Sequence, residues 1–169
     1  FLDVSKRMIL ITGHRRENFG SGFQQICNAI VKLAERDDIQ MVYPVHMNPN
    51  VHNPVTDVLG GCRNVVLLEP QDYPSFIYLM RRSHLILTDS GGVQEEAPSL
   101  GKPVVVMRDT TERPEAVAAG TVVLAGAMYE NIIHYVSKLL DDTKYFEQMS
   151  KASNPYGDGK SCDRIVSLL

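Results

Sequence analysis

Leu85-Ile86-Leu87-Thr88-Asp89-Ser90-Gly91-Gly92-Val93-Gln94-Glu95-Glu96 passes from an aliphatic run into a polar, helix-patterned stretch across a Ser-Gly-Gly turn. The run 85–88 is nearly continuous in apolar character rather than alternating, which predicts a strand covered on both faces. The segment 93–100 predicts the helix that follows, with Gly101 as its stop. A strand feeding straight into a helix is the repeating unit of a parallel sheet, and the rest of the chain repeats it. Further aliphatic runs at 8–12, 41–44, 65–68, 104–107 and 121–124 predict buried strands. Helix patterns fall between or after them at 23–34, 54–59, 73–83 and 129–140, with Asn53-Pro54 as a helix start, a capping side chain followed by a residue that needs no amide bond. The alternation predicts one α/β domain with a right-handed, doubly wound parallel sheet of Rossmann-like type.

The 169 residues suffice for one core, and 44% hydrophobic with 22% charged residues is an ordinary globular composition. A net charge of −3 predicts no bulk attraction to nucleic acid or to an anionic membrane, so phosphate binding would have to come from local geometry. No apolar run approaches the roughly 20 residues of a membrane span, and the first residues do not resemble a signal peptide. Cys27, Cys62 and Cys162 are odd in number and widely spaced, which predicts reduced thiols in a cytoplasmic protein; Cys27 shares a helical face with Phe23, Ile26, Ile30 and Leu33 and reads as core. No His/Cys/Asp grouping has metal-ligand spacing. Residues 1–7, with Phe1-Leu2 and a charged stretch, look like a cut linker, and Leu168-Leu169 stand within what looks like an unfinished amphipathic helix; both suggest a piece of a larger protein.

In such sheets ligands sit beyond the C-terminal strand ends. That rule selects the loops 13–22, 46–53, 69–72, 89–92 and 108–115, which are also the most polar. In the 88–96 stretch, a helix start offers unpaired amides and partial positive charge, Gly91 and Gly92 allow close approach, and Ser90 adds a hydroxyl donor. Glu96 lies one turn on, about 6 Å along the axis on the same face, where a carboxylate suits ribose hydroxyls rather than phosphate. Phosphate at the tip and sugar one turn in describe a nucleotide site; a plain capped helix would share the glycine turn. His14 and Arg15 in Gly13-His14-Arg15-Arg16-Glu17-Asn18, and Arg113 in Thr110-Thr111-Glu112-Arg113-Pro114-Glu115, could complete a diphosphate site, although charged loops are commonly solvated surface. Gln71 and Phe76 could hold a base, but Phe76 packs equally well as core with Leu79 and Met80. His46 could contact a ligand or stand exposed; His52, His84 and His134 have no partner pattern. Gly13-His14-Arg15 is not a P-loop, since no lysine follows a suitable turn.

Taken in order, Gly13 to Asn18, Tyr43-Pro44-Val45-His46-Met47-Asn48-Pro49, Thr88 to Glu96, Lys102-Pro103-Val104, Arg108 to Glu115 and Asn154-Pro155-Tyr156-Gly157-Asp158-Gly159 resemble the non-hydrolysing UDP-N-acetylglucosamine 2-epimerases of bacterial type, from about Met8 to the end of the chain. The resemblance implies the UDP-binding C-terminal half of a two-domain architecture of GT-B type, whose partner domain is missing. It implies that Ser90, Gly91 and Gly92 bind the diphosphate, Glu96 the ribose, Gln71 and Phe76 the uracil side, and Arg113 the UDP moiety. His14 would face the reacting sugar as the catalytic residue, and Arg15 and His46 would help bind an allosteric UDP-GlcNAc. The implied reaction interconverts UDP-GlcNAc and UDP-ManNAc by elimination and re-addition of UDP, with no metal or nicotinamide cofactor. The acid–base carboxylates would come mainly from the missing domain, which leaves this chain inactive alone; a homodimer is implied at full length, and the product would feed cell-surface polysaccharide. Val123-Leu124-Ala125-Gly126-Ala127-Met128 departs from the family's usual Arg/Lys and Gly-Thr/Ser-Asp turn, so no role is carried over there. A glycosyltransferase of the same architecture and a non-catalytic nucleotide-sugar-binding module are the alternatives.

Overall fold

A computed structural model describes residues 2–157 and 159–168; Phe1, Leu169 and Asp158 of the Asn154–Gly159 motif lie outside the described residues. Six strands form one sheet, β1 (Arg7–Thr12), β2 (Ile39–Pro44), β3 (Val65–Leu68), β4 (Leu85–Thr88), β5 (Val104–Val106) and β6 (Val122–Leu124), all parallel in the order β3-β2-β1-β4-β5-β6. Arg7, the last residue of the stretch read as a linker, opens β1. The helices are α1 (Ser21–Leu33), α2 (Pro49–Leu59), α3 (Tyr73–Arg82), α4 (Gly91–Glu96), α5 (Pro114–Ala118), α6 (Tyr129–Asp141), α7 (Thr143–Ser150) and α8 (Ser161–Val166).

Side chains alternate across a strand, and that parity divides the core in two. Ile9, Ile11, Met41, Tyr43, Leu85, Leu87 and Val105 point to one face, where α1, α2, α6 and Met149 of α7 cover them. Met8, Leu10, Val42, Ile86, Val104 and Val106 point to the other, against Leu79 and Met80 of α3, Val93 of α4 and Ala116 of α5. Cys27 is buried in the first cluster, and burial pushes its thiol up to about 11. The strands are not all equally covered, however: β3 is half-buried throughout and β6 over its last two residues, because they are the sheet's edges.

Several boundaries differ from the sequence reading. Helix α2 starts at Pro49, five residues before Pro54, because the Asn-Pro signature occurs twice and Asn48 is the one whose side chain accepts from an amide, that of Asn50 at 3.0 Å. Val51, Val55 and Leu59 then share one buried face, and Pro54 is carried inside the helix. The helix after β4 begins at Gly91 and changes to a 3-10 turn over Ala97–Leu100, since Pro98 has no amide to continue the α ladder; Gly101 stops it at φ 65°. Helices α5 and α7, of five and eight residues, have no counterpart in the sequence reading, and the amphipathic helix expected around Leu168-Leu169 corresponds to α8, which ends earlier, at Val166. In the divergent 123–128 turn, Gly126 adopts φ 65° and an added Cβ would lie 2.5 Å from Asp109 Oδ1, so that turn needs glycine on two counts.

At the sheet's N-terminal edge, Arg36 bonds Asp38 at 2.9 Å and Asp141 at 2.7 Å, and Arg7 bonds Asp38 and the Leu140 carbonyl. His84, just before β4, stacks on Phe146 with ring centroids 4.1 Å apart. Burial, then the nearby Arg7 charge, holds its pKa below the usual 6.5, against a hydrogen bond to the Leu139 carbonyl that pulls it up. A histidine depressed in the fold binds its proton better when unfolded, so its contribution is complete above about 6.5 and is lost as pH falls below that value. Urea midpoints measured between pH 7 and about 5 should therefore decline in the wild type and decline less in His84→Phe, which keeps the stacked ring; parallel profiles would refute this.

Candidate functional site

The strand order reverses between β1 and β4, and α1 and α4, which follow those strands, pack on opposite faces of the sheet, the arrangement that in such folds opens a ligand crevice beyond the C-terminal strand ends. The strand ends are pinned together by Thr12 Oγ1 and Thr88 Oγ1 at 2.7 Å, and Ser90 N donates to the same Thr88 hydroxyl at 3.0 Å. Asp89 follows, wholly buried. Its Oδ2 accepts from His14 N at 2.9 Å and Arg15 N at 2.8 Å, with Asn18 Nδ2 at 3.4 Å. Asn18, also buried, donates to Met107 O at 3.1 Å, so one carboxylate gathers the ends of β1, β4 and β5. Tyr43 Oη donates to Gly13 O at 3.1 Å; burial first, then the Asp89 charge, pushes its phenol well above the ordinary range.

That anchoring sets His14 at the mouth of the crevice. Its ring Nδ1 stands 3.7 Å from Asp89 Oδ1, an oxygen that is buried and accepts no hydrogen bond. The His14 ring stacks on His46 with centroids 5.3 Å apart and planes 14° from parallel. His46 Nδ1 accepts from Asn48 N at 3.1 Å, which leaves its proton on Nε2.

Two cations close over the start of α4. A Cβ added to Gly91 would lie 3.8 Å from an Arg113 guanidinium nitrogen and 3.9 Å from one of Arg15, so both guanidiniums flank this glycine. Arg113 is held by its surroundings: Nε bonds Glu95, and its amide donates to Thr111 Oγ1 at 3.0 Å. Thr111 in turn donates to buried Gln94 at 2.6 Å, and Gln94 Nε2 donates to Ser90 O at 3.2 Å. Buried Arg108 joins the two flanking loops, bonding Glu17 at 2.6 Å and Glu112 at 2.5 Å; this contact holds the Glu112 carboxyl down to about 2. Glu96 turns back toward the helix start, with Oε1 3.9 Å from a Cβ built on Gly92. Its other oxygen accepts from Tyr73 Oη at 3.0 Å, which raises that phenol's pKa and brings the first residue of α3 to α4.

The crevice thus gathers His14, Arg15, His46, Ser90, Gly91, Gly92, Glu96 and Arg113. Ser90 occupies the cap position without spending its hydroxyl on a capping bond. Gln71 is exposed, donates to Glu69 O at 2.7 Å and lines a groove of about 700 Å³ beside α3, while Phe76 is half-buried against the second core cluster. The three histidines without a partner pattern lie elsewhere: His52 lines a separate groove with Thr56, His84 sits at the far edge, and His134 packs edge-on to Tyr135. Asp89, Asn18, Gln94, Thr111 and Tyr73 are structural members that sequence reasoning gave no role. Asp89 and Gln94 stood inside the quoted motif, but nothing in a linear pattern distinguishes a buried acceptor from a solvated one.

The UDP-N-acetylglucosamine 2-epimerase family profile matches residues 3–169. The chain is similar to the UDP-N-acetylglucosamine 2-epimerase of Escherichia coli (strain K12), 59% identical over 170 residues, covering 100% of this chain and 45% of that one. It also resembles the crystal structure of UDP-GlcNAc 2-epimerase from Neisseria meningitidis bound to UDP-GlcNAc, with a TM-score of 0.93, 52% identity, and 99% and 45% of the two chains covered. A glycosyltransferase structure, that of kitacinnamycin, shares the fold alone at 16% identity and a TM-score of 0.62, covering 86% of this chain and 38% of that one. The chain therefore spans about 45% of the length of the curated relatives it matches.

The crevice depends on a close approach at Gly13, where an added Cβ would meet Tyr43 Oη at 3.1 Å, Met107 at 3.4 Å and Asp89 at 3.6 Å. Gly13→Ala should cost about 1–3 kcal/mol through overpacking, or a few degrees in Tm. Thermal unfolding checks this, and an unchanged Tm would mean that the pocket around Gly13 yields freely.

Proposed function

The chain belongs to the UDP-N-acetylglucosamine 2-epimerase family, and on that premise we propose that it is the nucleotide-binding half of an enzyme interconverting UDP-GlcNAc and UDP-ManNAc. The observation that carries the proposal is the pair of guanidiniums, Arg15 and Arg113, flanking Gly91 at the start of α4, with the Glu96 carboxylate one turn further in. Paired arginine forks match the oxygens of a diphosphate, and the helix start adds amides that point at the same charge. Glu96, already accepting from a phenol, is an acceptor suited to the hydroxyls of a ribose. Gln71 and Phe76 at the entry to α3 would serve the base. The structure of the Neisseria relative with UDP-GlcNAc supports a nucleotide-sugar as the ligand.

In this reading the reaction proceeds by elimination and return. A base takes the proton from C2 as the C1–O bond to UDP breaks, and the electron pair closes the 2-acetamidoglucal double bond. A proton then returns to C2 from the opposite face, and a diphosphate oxygen of UDP re-forms its bond to C1. This chain's contribution is to hold the departing UDP: Arg15, Arg113 and the helix start stabilise charge that grows on the diphosphate as C1–O breaks. His14 stands where it can exchange a proton with the sugar or the diphosphate. The carboxylates that work at C2 belong to the remainder of the full-length protein, a cytoplasmic enzyme and a homodimer in this reading. Arg15 and His46 also fit a second nucleotide-sugar that activates the first site.

Calorimetric titration with UDP tests the site. Arg113→Ala and Glu96→Ala should each weaken binding about tenfold to a hundredfold, the worth of a hydrogen bond to a charged group, and Ser90→Ala about threefold to tenfold. Unchanged affinity in folded variants, or no UDP binding even when the rest of the protein is supplied, would overturn the assignment. The chain alone should be silent in an epimerisation assay that the full-length protein passes; turnover by the chain alone would count against its being half of the active site.

A further inference from the structure

The two oxygens of Asp89 are used unequally. Oδ2 takes the amides of His14 and Arg15 and the side chain of Asn18, while Oδ1 accepts nothing, although the whole side chain is buried. A buried carboxylate oxygen without a donor is costly, so a group that can supply one is expected beside it. The candidate beside it is the His14 ring, with Nδ1 3.7 Å from Oδ1. The same residue's amide is already bonded to Oδ2, so backbone and ring of His14 straddle one carboxylate.

The geometry points to Asp89 as a positioning residue that holds the His14 imidazole with its proton on Nδ1, turning a bare Nε2 to the ligand. The gap is wider than a finished hydrogen bond, but small enough to close by a modest turn of the ring. With one nitrogen committed to a carboxylate, the tautomer ceases to be a matter of chance and the other nitrogen acquires a defined task. Nε2 then accepts a proton, from a ligand hydroxyl or from solvent, and the imidazolium so formed keeps its Nδ1–H toward Asp89 and can return the proton from Nε2. Arg15 and Arg113 stand over Gly91, two residues beyond Asp89, and His46, whose Nδ1 already accepts from Asn48, stacks on the ring. Asp89 is the anion that faces it. His46, stacked on the ring with the opposite tautomer, limits how far His14 can swing.

The inference deepens the nucleotide-sugar reading and rests on it for what Nε2 meets, but its test does not. Nitrogen-15 correlation spectra of the ligand-free chain at about pH 8, above the ordinary histidine range, should show His14 as the Nδ1–H tautomer. In Asp89→Asn the amide oxygen can take over the two backbone N–H groups, which leaves the amide NH2 facing the ring, so His14 should switch to Nε2–H. A role limited to supporting the loop would not reverse the tautomer. A wild-type ring found as Nε2–H, or as an even mixture, would overturn the inference, as would an unchanged tautomer in folded Asp89→Asn. Should that variant fail to fold, the wild-type tautomer alone decides, supporting the inference as Nδ1–H and sinking it otherwise. UDP titration, with the rest of the protein supplied, keeps the two readings apart: absent UDP binding with Nδ1–H present would remove the nucleotide and leave the dyad.

Discussion

A single carboxylate, that of Asp89, sits where β1, β4 and β5 end, and the crevice depends on it. An ion taken out of water is tolerated only when its lone pairs meet donors, and here two main-chain amides and the Asn18 amide point at one of its oxygens. Those amides belong to His14 and Arg15, so the groups that satisfy the charge are the ones that carry the site's ring and one of its guanidiniums. At Gly13 the loop runs so close to Tyr43 and Met107 that an added Cβ would crowd both. The burial of Asp89 and the placement of the β1 loop are one arrangement.

Around this anchor, charge is arranged by edge rather than by total. The chain is net negative, yet the C-terminal edge brings two guanidiniums over Gly91, each close to the open start of α4. Arg113 is held through Glu95 and through the relay of Ser90, Gln94 and Thr111, so its fork is set before a ligand arrives. Preorganisation of this kind matters more than charge count, because a ligand does not have to pay the entropy of ordering the fork. Arg108 serves differently: saturated by Glu17 and Glu112, it fastens the two loops that flank the crevice. At the opposite edge Arg7, Arg36, Asp38 and Asp141 link strand to helix.

Within the proposed function, the division of labour follows from where the sheet ends. A strand edge presents helix starts and loop cations, which suit phosphate and departing charge; it offers the sugar C2 no free carboxylate among the crevice residues described, since Asp89 is buried and Glu95 and Glu96 are engaged by Arg113 and Tyr73. On the proposed reading, stabilising UDP is this chain's task and moving protons at C2 is that of the remainder of the full-length protein.

What the sequence determined by itself was the strand–helix alternation, the two-sided burial of the central strands and the set of loops at one edge. These follow from local properties: aliphatic runs, glycine stops and helical spacing are visible within a dozen residues. That Ser90 opens a short helix with Glu96 one turn on was legible for the same reason, because both lie within seven residues. The start of α2 was not, since Asn48-Pro49 and Asn53-Pro54 carry the same signature and only packing of Val51, Val55 and Leu59 chooses between them. Nor could the sequence tell that Asp89 is buried, that His14 lies against His46, or that Arg15 and Arg113 share Gly91. Those contacts join residues many tens of positions apart. They exist because the sheet sets β1 between β2 and β4, and only the tertiary structure decides which distant loops meet at its C-terminal edge.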